Sequence, residues 1–364
     1  MWKKDQKERP FNREKRARQN LKLALIVLLA LGLLLTLGKV FQFFSEFQKP
    51  FYVLNTKPRE FSWDGSSVLN LVVARFQKRP DGVELEDFNF VSLNGEEGKI
   101  TILKLSDEIL LELPKNFGSW KLGSIYKLGQ ENKPPMGEDL LKMSVSKMLA
   151  LPIDGIIEVD SDQPLDIESE VNLWKSNLLT GFGFLTKIRT DLSLKESMDF
   201  INKAAKIRSD KITSLDLFRS TITQSKLLPD SSRVLGVDGV KLDTFTKQNL
   251  IDPVISGEDL TVAVYNGTDH AGLTSEAVRL INNLGARVTI ITNTSGKFVK
   301  NGVFINQSEG GEAKTSRTYK RLTEIFALNC LKEECKTADS EVLNSRAAIS
   351  VVLGEEYFNY WSSR

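Results

Sequence analysis

The turn around Asn266 is the segment whose residue types and spacing come nearest to a ligand-binding motif. Gly267 and Gly272 are separated by four residues and lie between a strand-like and a helix-like segment, as the glycines of a phosphate-binding loop do. The residues that follow are Leu273 and Thr274, not the Lys-Thr pair that would reach the phosphates. The free N–H groups of a helix N-terminus could still attract an anion. The alternative is a turn shaped only for packing.

Asn266, Gly267, Thr268 and Gly272 are therefore candidate ligand-binding residues. His270, the only histidine of the chain, occupies the same turn. No nucleophile motif points to it, so a Ser-His-Asp or Cys-His site is not indicated. We expect His270 to be exposed or to cap the helix.

The sequence contains few of the residues that form the usual metal sites of proteins. One histidine and two cysteines cannot build a conventional Cys/His zinc site. An acidic run follows the segment IDGIIEV and could bind a divalent cation through oxygen ligands, but it lacks an EF-hand pattern and also reads as a solvated loop. Its members are Asp160, Asp162, Asp166, Glu168 and Glu170. We predict no metal site.

Cys330 and Cys335 lie close together in the segment NCLKEECK. A disulfide between them is possible if the segment forms a turn, because their Cα atoms could then approach bonding distance. Two unrelated buried thiols are the alternative.

An apolar segment near the N-terminus predicts a membrane anchor. Sixteen residues between Lys22 and Lys39 carry no charge, and aromatic residues extend the span to about 21–44, close to the thickness of a bilayer core. Residues 1–22 contain nine Lys and Arg and three Asp and Glu, a net charge of +6. Positive flanks stay cytoplasmic, which places the rest of the chain outside the cell membrane. A cleaved signal peptide is the alternative, but its cleavage site would be the poor Thr36-Leu37-Gly38.

The remainder of the chain reads as two α/β domains. The whole chain has a net charge of +2, so the part after residue 22 sums to −4 and has no electrostatic reason to bind nucleic acid. The predicted division is a basic cytoplasmic segment (1–22), a signal-anchor helix (23–44), a stalk (45–65), a first α/β domain (66–220), a linker (221–258) and a second α/β domain (259–357).

Local sequence patterns predict the strands and helices of both domains. In the first domain we predict strands at 68–76, 88–93, 99–105 and 153–159, and helices at 137–149 and 194–208. Asn94-Gly95 predicts a hairpin turn, and Ser193 with Glu196 predicts a capping box. The linker has little periodicity beyond a short strand near 233–237. In the second domain we predict strands at 261–265, 287–292, 303–306 and 347–353, and helices at 271–284 and 313–328.

The second domain resembles a known family in its sequence. The segments VAVYNGTDHAGLTSEAVRLINNLGARV, VFINQSEG and AAISVVLGEEY resemble, in order, the strand, Asn-Gly turn, helix start and closing strand of the LytR C-terminal domain. That domain is an extracytoplasmic module that often follows LytR-CpsA-Psr catalytic domains.

The first domain resembles a reduced LytR-CpsA-Psr domain. The segments that carry the resemblance are VLNLVVARF, ITILKLSDEILLELP, KLGSIYKLGQ, LALPIDGIIEVD and RTDLSLKESMDF. The family transfers undecaprenyl-linked glycopolymers onto peptidoglycan, holding the lipid pyrophosphate with arginines and a carboxylate-bound divalent cation. Where the family has Pro-Arg-Asp, this chain has Leu105-Ser106-Asp107, so only Asp107 corresponds. The family's paired arginines have no counterpart between Glu170 and Lys187.

Two functions follow from this resemblance. The first is a non-catalytic, membrane-anchored protein that binds or scaffolds in the cell envelope and needs no cofactor. Its partners would be a glycopolymer, a polyprenyl-phosphate lipid or envelope proteins. The second is a phosphotransferase with a rearranged site and Mg²⁺, which requires Arg75, Arg189, Arg208 or Lys127 to converge on Asp107. The missing arginines favour the first, because a pyrophosphate requires charged, forked donors. A transcriptional role is rejected because the exterior region is slightly acidic.

Overall fold

The computed structural model describes residues 10–47, 62–79, 82–229, 231–306, 311–326 and 340–361. The chain divides into two compact units, Met1–Lys49 and Pro50–Arg364. The predicted class is confirmed: an apolar N-terminal helix is followed by two α/β regions. The predicted stalk lies largely outside the described residues, as do residues 1–9 of the basic segment.

The first unit is formed by helix α1 (Pro10–Phe47). Its stretch Asn20–Lys39 has a mean hydropathy of 2.5 and none of it is buried within the structure. A helix of this length rises about 30 Å, which matches a bilayer core. Among the described residues this is the one helix long and apolar enough to cross a membrane.

The first α/β region contains the elements that position the candidate catalytic residues. In chain order these are β1 (Leu69–Arg79), β2 (Gly82–Asn94), β3 (Lys99–Lys104), β4 (Leu110–Leu113), β5 (Gly118–Lys121), α2 (Leu122–Gln130), α3 (Gly137–Leu149), β6 (Gly155–Asp160), α4 (Ile167–Ser176), α5 (Leu178–Leu185), β7 (Ile188–Thr190), α6 (Leu194–Lys206) and β8 (Ile212–Asp216).

Six of these strands form one sheet in the order β7-β6-β1-β2-β3-β8. β1 pairs in parallel with β6, and β3 pairs in parallel with β8. β2 runs antiparallel between β1 and β3, which confirms the predicted hairpin at Asn94-Gly95. β4 and β5 pair separately as a short hairpin.

The central strand β1 carries apolar residues toward both of its faces because both faces are covered. Val72, Ala74 and Phe76 lie in one buried cluster, while Leu71 and Val73 lie in a second cluster on the other face. α3 packs on the first face, and α4, α5 and α6 pack on the second. The sheet is therefore sandwiched between helices.

The start of α6 shows how the sequence fixes a helix end. The predicted capping box is present: Ser193 Oγ accepts from the Glu196 backbone N–H at 3.2 Å, and the Glu196 carboxylate accepts from the Ser193 N–H at 2.8 Å. Glu196 also accepts from the Trp63 backbone N–H at 2.6 Å. The same carboxylate therefore ties the segment preceding β1 to α6.

Replacing Ser193 with alanine is expected to lower the free energy of unfolding by about 1–2 kcal/mol, because a buried cap is lost. Urea unfolding of the detergent-solubilised protein, followed by tryptophan fluorescence, measures this. The control is Lys195→Ala, which removes an exposed pair with Asp199 and should change stability by less than about 0.5 kcal/mol. Equal losses in the two variants would contradict the capping account.

Residues 221–258 contain more regular structure than the sequence predicted. They form β9 (Thr223–Leu227), β10 (Arg233–Val237), α7 (Gly239–Asn249) and α8 (Pro253–Glu258). The predicted short strand is β10, which pairs with β9. α7 was missed because its sequence, GVKLDTFTKQN, has a weak apolar stripe. Asp238 is its N-cap, and the Asp238 carboxylate accepts from the backbone N–H groups of Val240 and Lys241.

The second α/β region follows the predicted pattern. Its elements are β11 (Thr261–Asn266), α9 (Leu273–Leu284), β12 (Arg287–Asn293), β13 (Gly302–Ile305), α10 (Gly311–Thr315), α11 (Arg317–Phe326), α12 (Ser340–Leu343), β14 (Ile349–Leu353) and α13 (Glu355–Trp361). Four strands form a sheet in the order β12-β11-β14-β13. One apolar cluster runs from Val72 on the first sheet to Val264 on the second, so the two regions share a buried core.

The predicted continuous helix at 313–328 was wrong. α10 ends at Thr315 and α11 begins at Arg317. Ser316 separates them, and its Oγ accepts from the Tyr319 backbone N–H at 3.0 Å. A serine that satisfies an N–H of the next turn caps a new helix, which explains the break.

Candidate functional site

The C-terminal ends of β1, β3, β6 and β8 meet at one edge of the first sheet, which we call the carboxyl edge. Ligands of α/β sheets commonly bind at such an edge. Asp107 follows β3, and Asp160 ends β6. Arg75 lies on β1, and Arg189 lies on β7, which pairs with β6. The predicted catalytic groups therefore belong to the same end of the sheet, and their partners decide what they can do.

Asp107 is exposed beside the start of α2. Its backbone oxygen accepts from the Gly123 N–H at 3.1 Å. Its carboxylate accepts from Ser106 Oγ at 3.4 Å, and it forms no ion pair among the described residues. A Cβ at position 123 would lie 3.1 Å from the Asp107 Cβ, so glycine permits this close approach. Its role as a catalytic carboxylate stays a prediction.

Arg75 forms its ion pairs within the sheet, with residues of β2. Its side chain is buried and pairs with Glu86 and with Asp87, the latter at 2.6 Å between Nε and Oδ2. Asp87 Oδ2 also accepts from the Leu165 backbone N–H at 3.1 Å. The pairs orient the guanidinium toward β2, so it is already neutralised by two carboxylates.

The other two candidate cations, Arg208 and Lys127, are also not paired with Asp107 in the described part of the chain. Arg208 is exposed and pairs with Asp210 at 3.0 Å. Lys127 is exposed on α2, four residues after Gly123. None of the four candidate cations forms an ion pair with Asp107 within the described ranges.

Arg189 forms the most buried ion pair of this edge, with Glu158 on β6. Glu158 has an exposed fraction of 0 %, and its carboxylate accepts from the Arg189 guanidinium. The guanidinium also lies over the Phe76 ring, 3.5 Å from the centroid. Such stacking and pairing hold a planar cation firmly in place. Arg189 is therefore held against Glu158 and Phe76, and its side chain keeps an exposed fraction of 31 %.

Two atoms of this pair lack hydrogen-bond partners in the part of the chain that the structure describes. They are Glu158 Oε1 and Arg189 Nε, both buried. Burial, with Glu138 and Asp191 nearby, raises the pKa of Glu158 to about 7 although Arg189 acts in the opposite direction. Burial also raises the pKa of Glu138. The cluster combines two buried carboxyl groups with one arginine, so at neutral pH part of its negative charge is removed by protonation.

This cluster predicts a pH-dependent stability. Because the folded state raises the pKa of Glu158 from 4.5 to about 7, it binds the proton more tightly than the unfolded chain. The free energy of unfolding should therefore fall between pH 4.5 and pH 7, by on the order of 3 kcal/mol, and level off above. Urea unfolding across this range should show the slope in the wild type. Glu158→Gln should flatten it, and an unchanged slope in that variant would contradict the assignment.

The turn at Asn266 is closed by its own hydrogen bonds. Asn266 Oδ1 accepts from the Thr268 backbone N–H at 3.0 Å and from its hydroxyl at 2.8 Å. Asn266 Nδ2 donates to the His270 carbonyl at 2.9 Å. A Cβ on Gly267 would lie 2.9 Å from the Leu353 carbonyl oxygen, so this glycine is required by close backbone packing. Gly272 precedes α9 with φ +81.

His270 is half-buried and joins this turn to the last helix. Its Nε2 lies 3.0 Å from Glu355 Oε2, and its ring stacks on Phe358. These contacts hold α13 against the turn. The structure thus brings the four candidate ligand-binding residues together, while the side chains of Asn266 and Thr268 bond to each other. Ligand binding here stays a prediction.

The acidic run divides between a loop and a helix. Asp166 precedes α4 and accepts from Ser169 Oγ at 2.7 Å and from Lys104 Nζ at 3.3 Å. Glu168 and Glu170 lie in the first turn of α4, where acidic residues favour the helix dipole. Among the described residues no group of three potential metal ligands is found. Cys330 and Cys335 lie outside the described residues.

A hydrogen-bonded network joins the second α/β region to the first. Arg279 on α9 binds Asp243 on α7 with Nε and a terminal nitrogen, at 2.8 Å and 2.7 Å. It also donates to the carbonyls of Lys147 and Met148 at the end of α3. Asn283 Nδ2 donates to the Leu149 carbonyl at 3.1 Å. The C-terminal end of α3 is therefore capped by side chains from the second region.

A large cleft lies where the two regions meet. Its volume is about 760 Å³, and its walls come from the segment before β1, from α3, α8, α11 and α13. Clefts of several hundred Å³ hold small ligands in many proteins. Arg321 and Asp154 both line the cleft and form an ion pair, with 2.6 Å between Nη2 and Oδ1. This cleft could not be predicted from the sequence, because its walls lie up to about 300 residues apart in the chain.

Comparison with known proteins identifies the second region. Residues 259–357 match the family described as LytR cell envelope-related transcriptional attenuator. The resemblance of this region to a LytR C-terminal domain is thereby confirmed. No curated protein sequence matches the chain.

Solved structures of LytR-CpsA-Psr proteins resemble the chain at a distance. TagT of B. subtilis is 15 % identical over 56 % of this chain and 95 % of its own, with a TM-score of 0.37. A family protein with bound octaprenyl pyrophosphate lipid is 14 % identical over the same shares, with a TM-score of 0.36. A transcriptional regulator from Enterococcus faecalis is 13 % identical over 62 % of this chain and 92 % of its own, with a TM-score of 0.38. Similarity of this size assigns no function.

Proposed function

We propose that the chain is a membrane-anchored, extracytoplasmic cell-envelope protein with a binding or scaffolding role and no transferase activity. The C-terminal domain match connects the chain to the cell envelope. The role differs from that of a glycopolymer phosphotransferase, and it is supported by the lack of any ion pair between a candidate cation and Asp107 among the described residues.

The anchoring part of the proposal is supported by α1. Its exposed apolar stretch Asn20–Lys39 would be costly in water and is stable in a bilayer. The net charge of +6 on residues 1–22 favours a cytoplasmic N-terminus. The two α/β regions would then lie outside the membrane, where lipid-linked glycopolymers and envelope proteins are within reach.

The observation that carries the non-catalytic role is the pairing of the arginines at the carboxyl edge. Arg75 is bound by Glu86 and Asp87, and Arg189 is bound by Glu158. A diphosphate ligand requires several charge-assisted donors directed at the same point, and catalysis requires them positioned in advance. Releasing Arg189 would leave Glu158 buried without its partner, which costs several kcal/mol. These ion pairs therefore make it costly for Arg75 and Arg189 to turn toward a diphosphate ligand.

Phosphotransfer to peptidoglycan tests this proposal. The detergent-solubilised full chain is incubated with a polyprenyl-pyrophosphate-linked glycopolymer, peptidoglycan and Mg²⁺, and the release of polyprenyl phosphate is measured. We expect no release above the rate without protein, in the wild type and in Asp107→Ala alike. Protein-dependent release that Asp107→Ala abolishes, and that the exposed control Asp162→Ala retains, would overturn the proposal in favour of the phosphotransferase.

A further inference from the structure

The cleft at the junction of the two α/β regions has the chemistry of a ligand site, and its walls show which ligand class fits. We propose that it binds an uncharged oligosaccharide. This inference rests on the proposed binding function and adds the ligand class to it. It is argued from the charge, the hydrogen-bonding groups and the one exposed aromatic ring of the cleft.

The charge of the walls disfavours a phosphate polymer. Five lysine and arginine side chains and seven aspartate and glutamate side chains line the cleft, a net charge of −2. The principal cations are already paired: Arg321 with Asp154 and Glu324, and Lys142 with Asp191 and Asp139. A polyanion would meet excess negative charge and no unpaired arginine, and like charges across an interface are strongly unfavourable.

The same walls disfavour a lipid chain. Arg321 and Lys142 are both largely buried, with exposed side-chain fractions of 16 % and 15 %, and they occupy the cleft wall between apolar residues. A hydrocarbon tail would remove the remaining solvent from these groups without offering hydrogen bonds, which is costly. A ligand with many hydroxyl and amide groups would instead replace the water.

Unused hydrogen-bonding capacity remains in the cleft. Among the described residues, the second oxygens of Asp139 and Glu324 accept no hydrogen bond from a protein group, and Lys320 Nζ donates none. Carboxylates only accept and ammonium groups only donate. A sugar hydroxyl does both, so neighbouring hydroxyls of one ring can satisfy these groups together.

One aromatic ring in the lining of the cleft is partly exposed. Tyr360 on α13 has an exposed fraction of 40 % and packs edge-on against Trp361 with 5.1 Å between the ring centroids. Lys115, from the turn of the β4–β5 hairpin, approaches its ring at 5.8 Å. An aromatic face with a polar tip suits a partner that is apolar on one side and polar at its edge, as a pyranose ring is.

Binding of defined oligosaccharides tests the proposal. The detergent-solubilised full chain is titrated with chitotetraose, with cellotetraose and with a glycerol phosphate oligomer, and binding is measured by calorimetry. Trp63 and Trp361 line the cleft, so their fluorescence gives a second readout. We expect saturable binding of at least one of the two uncharged oligosaccharides. Tyr360→Ala and Asp139→Asn should each weaken it about tenfold or more, which is about 1.4 kcal/mol.

The matched control is Phe218→Ala, which removes an exposed aromatic ring outside the cleft and should leave binding unchanged. Thermal unfolding of each variant verifies that it is folded. The proposal is overturned if neither oligosaccharide binds at millimolar concentration, if Tyr360→Ala binds as the wild type does, or if the glycerol phosphate oligomer binds more tightly. If no oligosaccharide binds and no transferase activity is detected, the proposed ligand class is refuted and the proposed non-catalytic role stands.

Discussion

Replacing Arg189 with alanine should lower the free energy of unfolding by about 3–5 kcal/mol at pH 8, because it leaves a buried carboxylate without its partner. Glu158 has an exposed fraction of 0 %, and Arg189 supplies its ion pair. At pH 5 the loss should be smaller, since burial raises the pKa of Glu158 to about 7 and the neutral acid needs no counter-charge. Urea unfolding at the two pH values measures both effects.

The control for this prediction is Arg208→Ala. Arg208 has an exposed side-chain fraction of 80 % and pairs with Asp210 on the surface. Its removal should change stability by less than about 1 kcal/mol at either pH. A loss in Arg189→Ala that is as small, or that is equal at pH 5 and pH 8, would contradict the account of the carboxyl edge.

Replacing Arg279 with alanine should lower the free energy of unfolding by about 2–4 kcal/mol, because several charge-assisted hydrogen bonds are lost at once. The substitution leaves Asp243 without its bidentate partner and the carbonyls of Lys147 and Met148 without donors. Those carbonyls end α3, whose free C=O groups need such partners. The second α/β region should consequently lose part of its attachment to the first.

A double-mutant cycle with Asp243→Ala separates this coupling from general damage. The two substitutions together should cost less than the sum of the single losses, with a coupling of about 1 kcal/mol or more. Arg287→Ala is the control, since Arg287 and Asp259 are both highly exposed and should contribute less than about 1 kcal/mol. Strict additivity of Arg279→Ala and Asp243→Ala would contradict the network.

The sequence predicted elements best where local chemistry marks both ends. α3 occupies the predicted range, Gly137–Leu149, because its apolar residues recur at helical spacing. The capping box marks the start of α6, and Gly285 ends α9 with φ +108. These positions are determined by neighbouring residues, so one sequence is enough to find them.

Elements whose apolar periodicity is weak or misleading were missed. α7 presents few apolar residues to the core, and its stability depends on contacts with distant elements such as α9. Ser316 was assigned to a helix interior, although it begins a new helix. In both places tertiary contacts or a cap overrode the periodicity on which the prediction depended.

The candidate site was only partly accessible from the sequence. A charged residue within the apolar strand GIIEVD signals a buried partner, yet the sequence does not show that Arg189 is the partner of Glu158. Asp107 was identified from its family motif alone, and the sequence did not show that the start of α2 packs beside it. The cleft is formed by segments that are distant in sequence, so its lining could not be inferred before the fold was known.

Binding of octaprenyl pyrophosphate to the full chain tests the central claim most directly. The lipid is offered in detergent micelles with and without Mg²⁺, and inorganic pyrophosphate serves as a headgroup probe. Because Arg75 and Arg189 are held by Glu86, Asp87 and Glu158, we predict no saturable binding beyond that of the micelle. Saturable, Mg²⁺-dependent binding that Asp107→Ala removes and Asp162→Ala retains would contradict the claim that no pyrophosphate site is assembled at the carboxyl edge.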